Sequence, residues 1–130
     1  MSFYLGDVPD IALSTFADNS SPAFAAQRAR GSLAAPAPVQ NDDIIGSLWT
    51  SAFNGATFVD TGYVAIRAEE DFSLSVADQD AYMVVNLLEN GVRAEKMRVT
   101  SSGRLGLGTA NPAVELDVDT GVINASAICD

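Results

Sequence analysis

The sequence predicts an all-β fold, and three observations support that prediction. Short apolar runs recur between turn signals from residue 44 onward. Two Asn-Gly dipeptides, at 54–55 and 90–91, are typical of tight hairpins, because both central turn positions favour positive φ. Apolar and polar residues alternate with a period of two over 63–68 and 72–76, and no segment keeps a helical apolar period over three turns.

The predicted elements follow in chain order. Residues 1–19 mix apolar and acidic positions without a clear period, and a short helix over 10–18 is the one alternative to irregular structure there. Residues 24–30 are expected to form a strand, and the proline-containing stretch 31–43 a surface loop. The strands predicted after that loop are 44–52, 57–59, 63–68, 72–76, 82–88, 95–100, 104–107, 114–118 and 122–125.

Composition excludes several classes of protein. The chain has 130 residues, which allows one domain with a short extension. With no histidine and one cysteine, a Cys/His zinc site and a Ser-His-Asp catalytic arrangement cannot form within one chain. Seven basic against 17 acidic residues, a net charge of −10, argue against nucleic-acid binding, and no apolar run is long enough for membrane insertion. No metal or other cofactor is expected.

Two glycines interrupt a strand in the last third of the chain. Leu105 and Leu107 would point to one face of that strand, and Gly106 and Gly108 to the other. Such a glycine face suits a place where another backbone approaches closely, such as a threefold axis. These four residues are therefore the predicted trimer-axis packing positions.

The same region resembles a known family. The segments EKMRV at 95–99, SGRLGLGT at 102–109, NP at 111–112 and LDV at 116–118 resemble a module of bacteriophage tail fibres that often precedes a C-terminal chaperone or tip domain. Gly121 matches the glycine that ends that pattern.

A second part of the resemblance lies upstream. The runs RARGSLAAP at 28–36 and VQNDDIIG at 39–46 resemble the preceding head-like domain of the same fibres, in the same order along the chain. Asp42 departs from the family, which commonly has glycine there. Similar modules also occur in phage-derived surface fibres of bacteria.

The resemblance implies a homotrimer, with two further copies of the chain as partners. It implies an N-terminal connector over 1–19, an antiparallel β-sandwich-like head over 20–101, and a glycine-rich intertwined stalk over 102–130. The implied function is non-enzymatic attachment to a bacterial cell surface, through a glycan or another receptor. The implied location is a virion tail fibre or the bacterial surface.

Aromatic residues near turns are the candidate receptor contacts. The candidate binding residues are Trp49, Phe53, Asn54 and Tyr63. Burial in the core is the expectation for each aromatic residue, and the apolar neighbours of Trp49 favour it there. If any of them is exposed, Phe53 and Tyr63, which lie next to turns, are the first candidates for receptor contact.

Charged clusters allow two further interpretations. The acidic turns at 69–71 and 78–80 are read as solvated, and the alternative is a tailspike-like glycan hydrolase with these acids at subunit clefts. Residues 117–121 resemble part of a calcium loop but are interpreted as a strand and a turn. Four basic residues are expected to pair with acidic residues of a neighbouring chain, and the alternative is that they bind an acidic glycan or a lipopolysaccharide phosphate: Arg93, Lys96, Arg98 and Arg104.

Overall fold

The computed structural model describes residues 24–120 and confirms the all-β prediction. The strands are β1 (Arg30–Ser32), β2 (Ala35–Ala37), β3 (Ile44–Phe53), β4 (Phe58–Ala68), β5 (Ala81–Glu89), β6 (Val92–Val99), β7 (Leu105–Leu107) and β8 (Leu116–Val118). A single 3₁₀ turn, Val76–Asp78, lies between β4 and β5. The predicted helix over 10–18 and the predicted strand over 122–125 lie outside the described residues.

Six strands form one sheet in chain order, β3 to β8. Neighbouring strands are antiparallel from β3 to β7, and β8 runs parallel to β7. Strands β1 and β2 make a separate antiparallel ribbon. The structure differs from the expected sandwich, since the described residues supply a single large layer and no second sheet facing it.

The Asn-Gly dipeptides close hairpins as predicted. Asn90 and Gly91 have φ of 50° and 79° and join β5 to β6 in a two-residue turn. At the other turn, the Asn54 side-chain oxygen accepts the backbone N–H groups of Ala56 and Thr57, each at 2.9 Å. This amide therefore stabilises the turn between β3 and β4.

The 61–62 dipeptide, predicted to separate two strands, instead lies inside β4. The register of β3 against β4 shifts there, so Thr61 is the extra residue of a β-bulge. A Cβ atom on Gly62 would lie 2.5 Å from the carbonyl oxygen of Asn86. Glycine is required at this position by the close approach of β5, not by a turn.

Three local predictions were wrong. Residues 24–29 form no strand, and 31–43 contains the β1–β2 ribbon. Residues 72–76 also form no strand, because the Ser73 hydroxyl donates to the Asp78 carboxylate at 2.7 Å and folds the segment back on itself. Side chains that bond locally in this way compete with pairing in a sheet.

Asp43 anchors the ribbon segment to the sheet. Its buried carboxylate accepts hydrogen bonds from the guanidinium groups of Arg30, at 2.6 and 2.8 Å, and Arg28, at 3.0 Å. It also accepts the Gln40 backbone N–H at 3.0 Å, while the Asp43 carbonyl accepts the N–H of Ala68 at the end of β4. One side chain thus joins the chain before β1 to the start of β3.

Stability is expected to fall as the pH is lowered below about 4. The hydrogen bonds from Arg30 and then from the Gln40 N–H hold the pKa of Asp43 well below its usual range in the folded protein. A carboxyl group with a depressed folded pKa adds stability that is complete above the unfolded pKa and is lost as the pH falls through the folded pKa. Urea unfolding between about pH 2 and 7 measures this dependence. Asp43→Asn should flatten it, and an equally steep curve for that variant would contradict the assignment.

Candidate functional site

One face of the six-stranded sheet is apolar across all six strands. Two rows of register partners cross the sheet, and each row takes one residue from each strand. The first row is Leu48, Val64, Val85, Met97, Leu107 and Val118. The second row is Gly46, Ile66, Met83, Val99, Leu105 and Leu116. We call these twelve residues the apolar face.

The apolar face is only partly covered by the described chain. Leu48 is 75% exposed, and Val64, Ile66 and Leu116 are each more than two-fifths exposed. Residues 24–26 lie over one corner, next to a cavity of about 680 Å³. The six strands lie about 4.8 Å apart, and each of the two rows is about 7 Å wide along the strands. The apolar face therefore has a projected area of roughly 400 Å². An apolar patch of this size is comparable to the largest patch on a typical soluble monomer, and such patches are often functional.

The opposite face, which we call the polar face, is covered by the chain's own charged side chains. The Arg98 guanidinium lies over the Tyr82 ring, 4.1 Å from its centroid, and donates two hydrogen bonds to Glu95 at 2.7 and 2.8 Å. The Tyr82 hydroxyl donates to Asp42 at 2.6 Å. Burial and then this hydrogen bond raise the pKa of Tyr82 to about 12. Val84, fully buried, packs between these groups and Tyr63.

A second aromatic cluster lies on the polar face near the β3 edge. The rings of Trp49 and Tyr63, which are register partners, stack with centroids 4.8 Å apart and an interplanar angle of 18°. The Arg93 guanidinium lies 4.5 Å from the Trp49 centroid and 5.3 Å from that of Tyr63. Each contact has the geometry of a cation–π interaction. We call Trp49, Tyr63, Arg93, Asp60 and Ser51 the tryptophan cluster.

Asp60 balances the charge of this cluster. Its carboxylate accepts the Ser51 hydroxyl at 2.8 Å and lies 3.6 Å from Arg93. Hydrogen bonding from Ser51, then from Trp49, lowers the pKa of Asp60 below its ordinary value. The result is an aromatic ring edged by a carboxylate, a hydroxyl and a guanidinium, a combination suited to a ligand with both apolar and hydroxyl faces.

The structure changes the expected exposure of the candidate aromatic residues. The predicted burial of Trp49 was wrong, because 43% of it is exposed, whereas Tyr63 beneath it is buried as expected. Phe53 was also expected in the core, but it is exposed, and its ring packs against that of Phe58 with centroids 5.5 Å apart. Asn54 is used by the turn described above. The structure thus joins Trp49 to Tyr63 and separates both from Asn54.

Asp60 and Ser51 were not among the residues singled out from the sequence, and Arg93 was singled out only as a residue expected to pair with a neighbouring chain. A signal for Asp60 and Ser51 existed, since extending the hairpin register back from Asn54-Gly55 pairs Ser51 with Asp60. Arg93 could not be found in this way, because it reaches the cluster from β6, two strands from β4.

The predicted trimer-axis residues divide between the two faces. Leu105 and Leu107 belong to the apolar face, whereas Gly106 is on the polar face. A Cβ atom on Gly106 would collide with the carbonyl oxygen of Thr109 in the same chain. Gly108 has φ of 76°, and its near neighbour is Asp119. Within the described chain, both glycines therefore serve the chain's own loop over 108–115.

The clustered basic residues find partners within their own chain. Lys96 binds Glu89 at 2.5 Å, Arg98 binds Glu95, and Arg93 lies 3.6 Å from Asp60. The expected pairing with a neighbouring chain is therefore not needed for these three residues. Arg104 donates to the Pro112 carbonyl at 3.2 Å.

The acidic turns hold neighbouring loops together. Glu69 accepts the N–H of Ser101 at 3.3 Å, and Glu70 accepts that of Asp80 at 3.2 Å. Asp71 accepts the N–H of Asn41 at 2.7 Å. Asp117, in the calcium-like stretch, accepts the N–H of Ala113 at 2.8 Å. All four carboxylates thus have a structural use.

No protein-family model matches the sequence, and no curated protein is significantly similar to it. Among solved structures, the carboxy-terminal domain of the bacteriophage T5 L-shaped tail fibre superposes with a TM-score of 0.62 at 14% identity. The match covers 76% of this chain and 36% of that one.

The same tail-fibre domain with its intramolecular chaperone domain also superposes with a TM-score of 0.62, at 16% identity. That match covers 75% of this chain and 24% of the other, so the chain spans about a third or less of either structure. The chain thus has the fold of a phage tail-fibre domain. In particular, it has the fold found in the carboxy-terminal domain of the T5 L-shaped tail fibre.

No helix within residues 24–120 is long and apolar enough to span a membrane.

Proposed function

We propose that this chain is a structural segment of a homotrimeric fibre, of the phage tail type or a related adhesin, which attaches to a bacterial surface. The observation that carries the proposal is the apolar face. A sheet is stable in water when its apolar face packs on another layer, and the described chain supplies almost none. Two further copies would supply that layer.

The distribution of charge favours copies of the same chain as the covering layer. None of the twelve residues of the apolar face is charged, although the chain carries a net charge of −10. The ion pairs of β6 bind residues of their own chain and lie away from this face. Copies can therefore approach through the apolar face without burying an unpaired charge. The number three comes from the resemblance to tail fibres.

In such an assembly the polar face would point outward. The tryptophan cluster then stays accessible, and it is the proposed receptor contact, with a surface glycan as the ligand. Phe53, the last residue of β3, is also exposed to solvent. The proposed location is a virion tail fibre or a bacterial surface fibre.

The division into a connector over 1–19, a head over 20–101 and a stalk over 102–130 is also part of the proposal. Strands β7 and β8 continue the sheet of β3–β6. The stalk would therefore begin as an extension of the head rather than as a separate unit.

A glycan hydrolase is the alternative class. It would need a pair of free carboxylates about 5 to 9 Å apart. The acidic residues proposed for that role accept backbone N–H groups, which supports a structural use for them. Glycan turnover that disappears in Glu70→Gln would favour the hydrolase over the fibre.

Sedimentation equilibrium tests the proposed assembly directly. A mass three times the 13.6 kDa of the chain is expected at micromolar concentration. A monomer at all concentrations would overturn the proposal.

Receptor contact can be tested through the only tryptophan of the chain, Trp49. Titration with bacterial lipopolysaccharide is expected to change its fluorescence. Trp49→Ala is expected to weaken binding, measured by calorimetry, at least tenfold, since exposed aromatic residues dominate contacts of this kind. Leu74→Ala removes a fully exposed apolar side chain elsewhere and serves as the control. If Trp49→Ala and Leu74→Ala bind the lipopolysaccharide with equal affinity, then Trp49 is not part of the receptor site.

A further inference from the structure

A polar groove lies on the polar face of the sheet, beyond the tryptophan cluster. It lies between the turn over 101–104 and the loop over 109–113, with a volume of about 430 Å³. Arg98 and Gly106 are register partners on this face, and Thr109 covers Gly106, so the loop lies over the polar face. The polar side chains that line the groove are Glu69, Arg98, Thr100, Ser102, Arg104 and Asn111.

Arg104 differs from the other basic residues of the chain. Within the described part of the chain, six of the seven basic residues lie within 4 Å of a carboxylate, and Arg104 does not. Its guanidinium donates a hydrogen bond to the carbonyl of Pro112. A guanidinium has five N–H donors, so this bond leaves most of its capacity unused. In a chain with a net charge of −10, an unneutralised cation in a concave site is a favourable place for an anionic group.

Hydroxyl and carboxylate groups surround this cation. The side chains of Thr100 and Ser102 hydrogen-bond each other at 2.9 Å. Glu69 uses one oxygen for the N–H of Ser101, which leaves acceptor capacity on the same carboxylate. The groove thus offers one positive centre together with several neutral donors and acceptors.

We propose that this groove binds a singly charged sugar unit, with the carboxylate or phosphate on Arg104 and the ring hydroxyls on Thr100, Ser102 and Glu69. Arg104 provides a planar pair of donors that matches either anionic group. The Glu69 carboxylate repels a second negative charge, so the groove selects against polyanions.

The site goes beyond the trimer proposed above and does not depend on it. That the sugar belongs to a bacterial surface rests on the proposed function, whereas binding of the sugar unit rests on the groove alone. The groove is also distinct from the tryptophan cluster, because the two share no residue: the groove is lined by Glu69, by Arg98 near the end of β6, and by residues of 100–104 and 110–113.

The test is calorimetric titration of the whole protein with glucuronate, with the methyl phosphodiester of glucose at O6, and with glucose, so that each of the two anions carries a single negative charge. Saturable binding of at least one of the two anions is expected, and the two titrations distinguish a carboxylate from a phosphate. Glucose should bind at least tenfold more weakly, which corresponds to the loss of one charge-assisted hydrogen bond. Arg104→Gln should remove the preference for the anion.

Lys96→Gln is the matched control, since it removes the same charge from a residue outside the groove that is paired with Glu89. Its affinity for the anion should stay within twofold of the parent protein. An equal loss of affinity for the anion in both variants would show that only the net charge of the protein matters, and it would overturn the proposed site. An absence of saturable binding to the parent protein would also overturn it. Sedimentation of the same samples separates this result from assembly: if Arg104→Gln dissociates the trimer, then Arg104 pairs with a neighbouring chain and the sugar site is wrong.

Discussion

Val64→Glu is expected to convert the proposed trimer to a monomer. Val64 is the second of the six residues in the first row of the apolar face, and two-fifths of it is exposed in the single chain. A glutamate there can remain solvated in the monomer, so the fold of the monomer should survive. In the trimer the same group would be buried without a partner in three copies, which costs several kcal/mol per carboxylate. The association constant should therefore fall by at least a hundredfold.

Sedimentation velocity measures the change, and circular dichroism checks that the variant keeps its strands. Val114→Glu is the matched control, because Val114 is equally apolar and exposed but lies in the loop before β8, outside the apolar face. It should remain trimeric. Leu107→Glu places a charge in the same row at β7 and should behave like Val64→Glu. A trimer that tolerates both face variants would show that assembly uses another surface.

Asp43→Ala is expected to be among the most destabilising truncations to alanine in the described chain. It removes the acceptor shared by Arg28, Arg30 and the Gln40 N–H and leaves those donors beside a buried position. The melting temperature should fall by roughly 10 °C or more, since such a loss combines several of the mechanisms behind large mutational effects. Trypsin should also cleave after Arg28 and Arg30 faster than in the parent protein.

Asp71→Ala provides the comparison for this change. Asp71 also accepts one backbone N–H, from Asn41, but it is exposed. Its loss should lower the melting temperature by only a few degrees. Asp43→Asn keeps an acceptor oxygen and should lie between the two. If Asp71→Ala is as damaging as Asp43→Ala, then the anchoring role assigned to Asp43 is wrong.

Strand chemistry and turn dipeptides predicted much of the sheet. The strands over 44–52 and 82–88 match β3 and β5 closely, and both Asn-Gly turns close hairpins. These features depend on local preferences that operate within a few residues. The failed strand over 72–76 has the same alternation, but its serines and aspartates bond to each other instead. Alternation indicates that a segment has the residue pattern of a strand. It does not indicate that the edge of a sheet is available for that segment to pair with.

The apolar face could not be read from the sequence alone. Each of its strands contributes only two residues, and their alignment into rows depends on the register between strands. A shift of one residue in a single strand would break both rows. The tryptophan cluster has the same origin, because Trp49 and Arg93 are three strands apart in the sheet. The glycine face of β7 predicted a close backbone approach at Gly106. The approaching backbone belongs to the same chain.

The parallel pairing of β8 with β7 determines the direction of the chain through the sheet. Five strands that alternate in direction end with β7 running the same way as β3. An antiparallel β8 would have returned the chain to the end where β3 begins, but the parallel β8 again runs the same way as β3. The polypeptide therefore enters at one end of the sheet and departs toward the other. Units in which the chain enters at one end and leaves at the opposite end can be joined in series. Each unit then adds its own length to a shaft with a defined polarity.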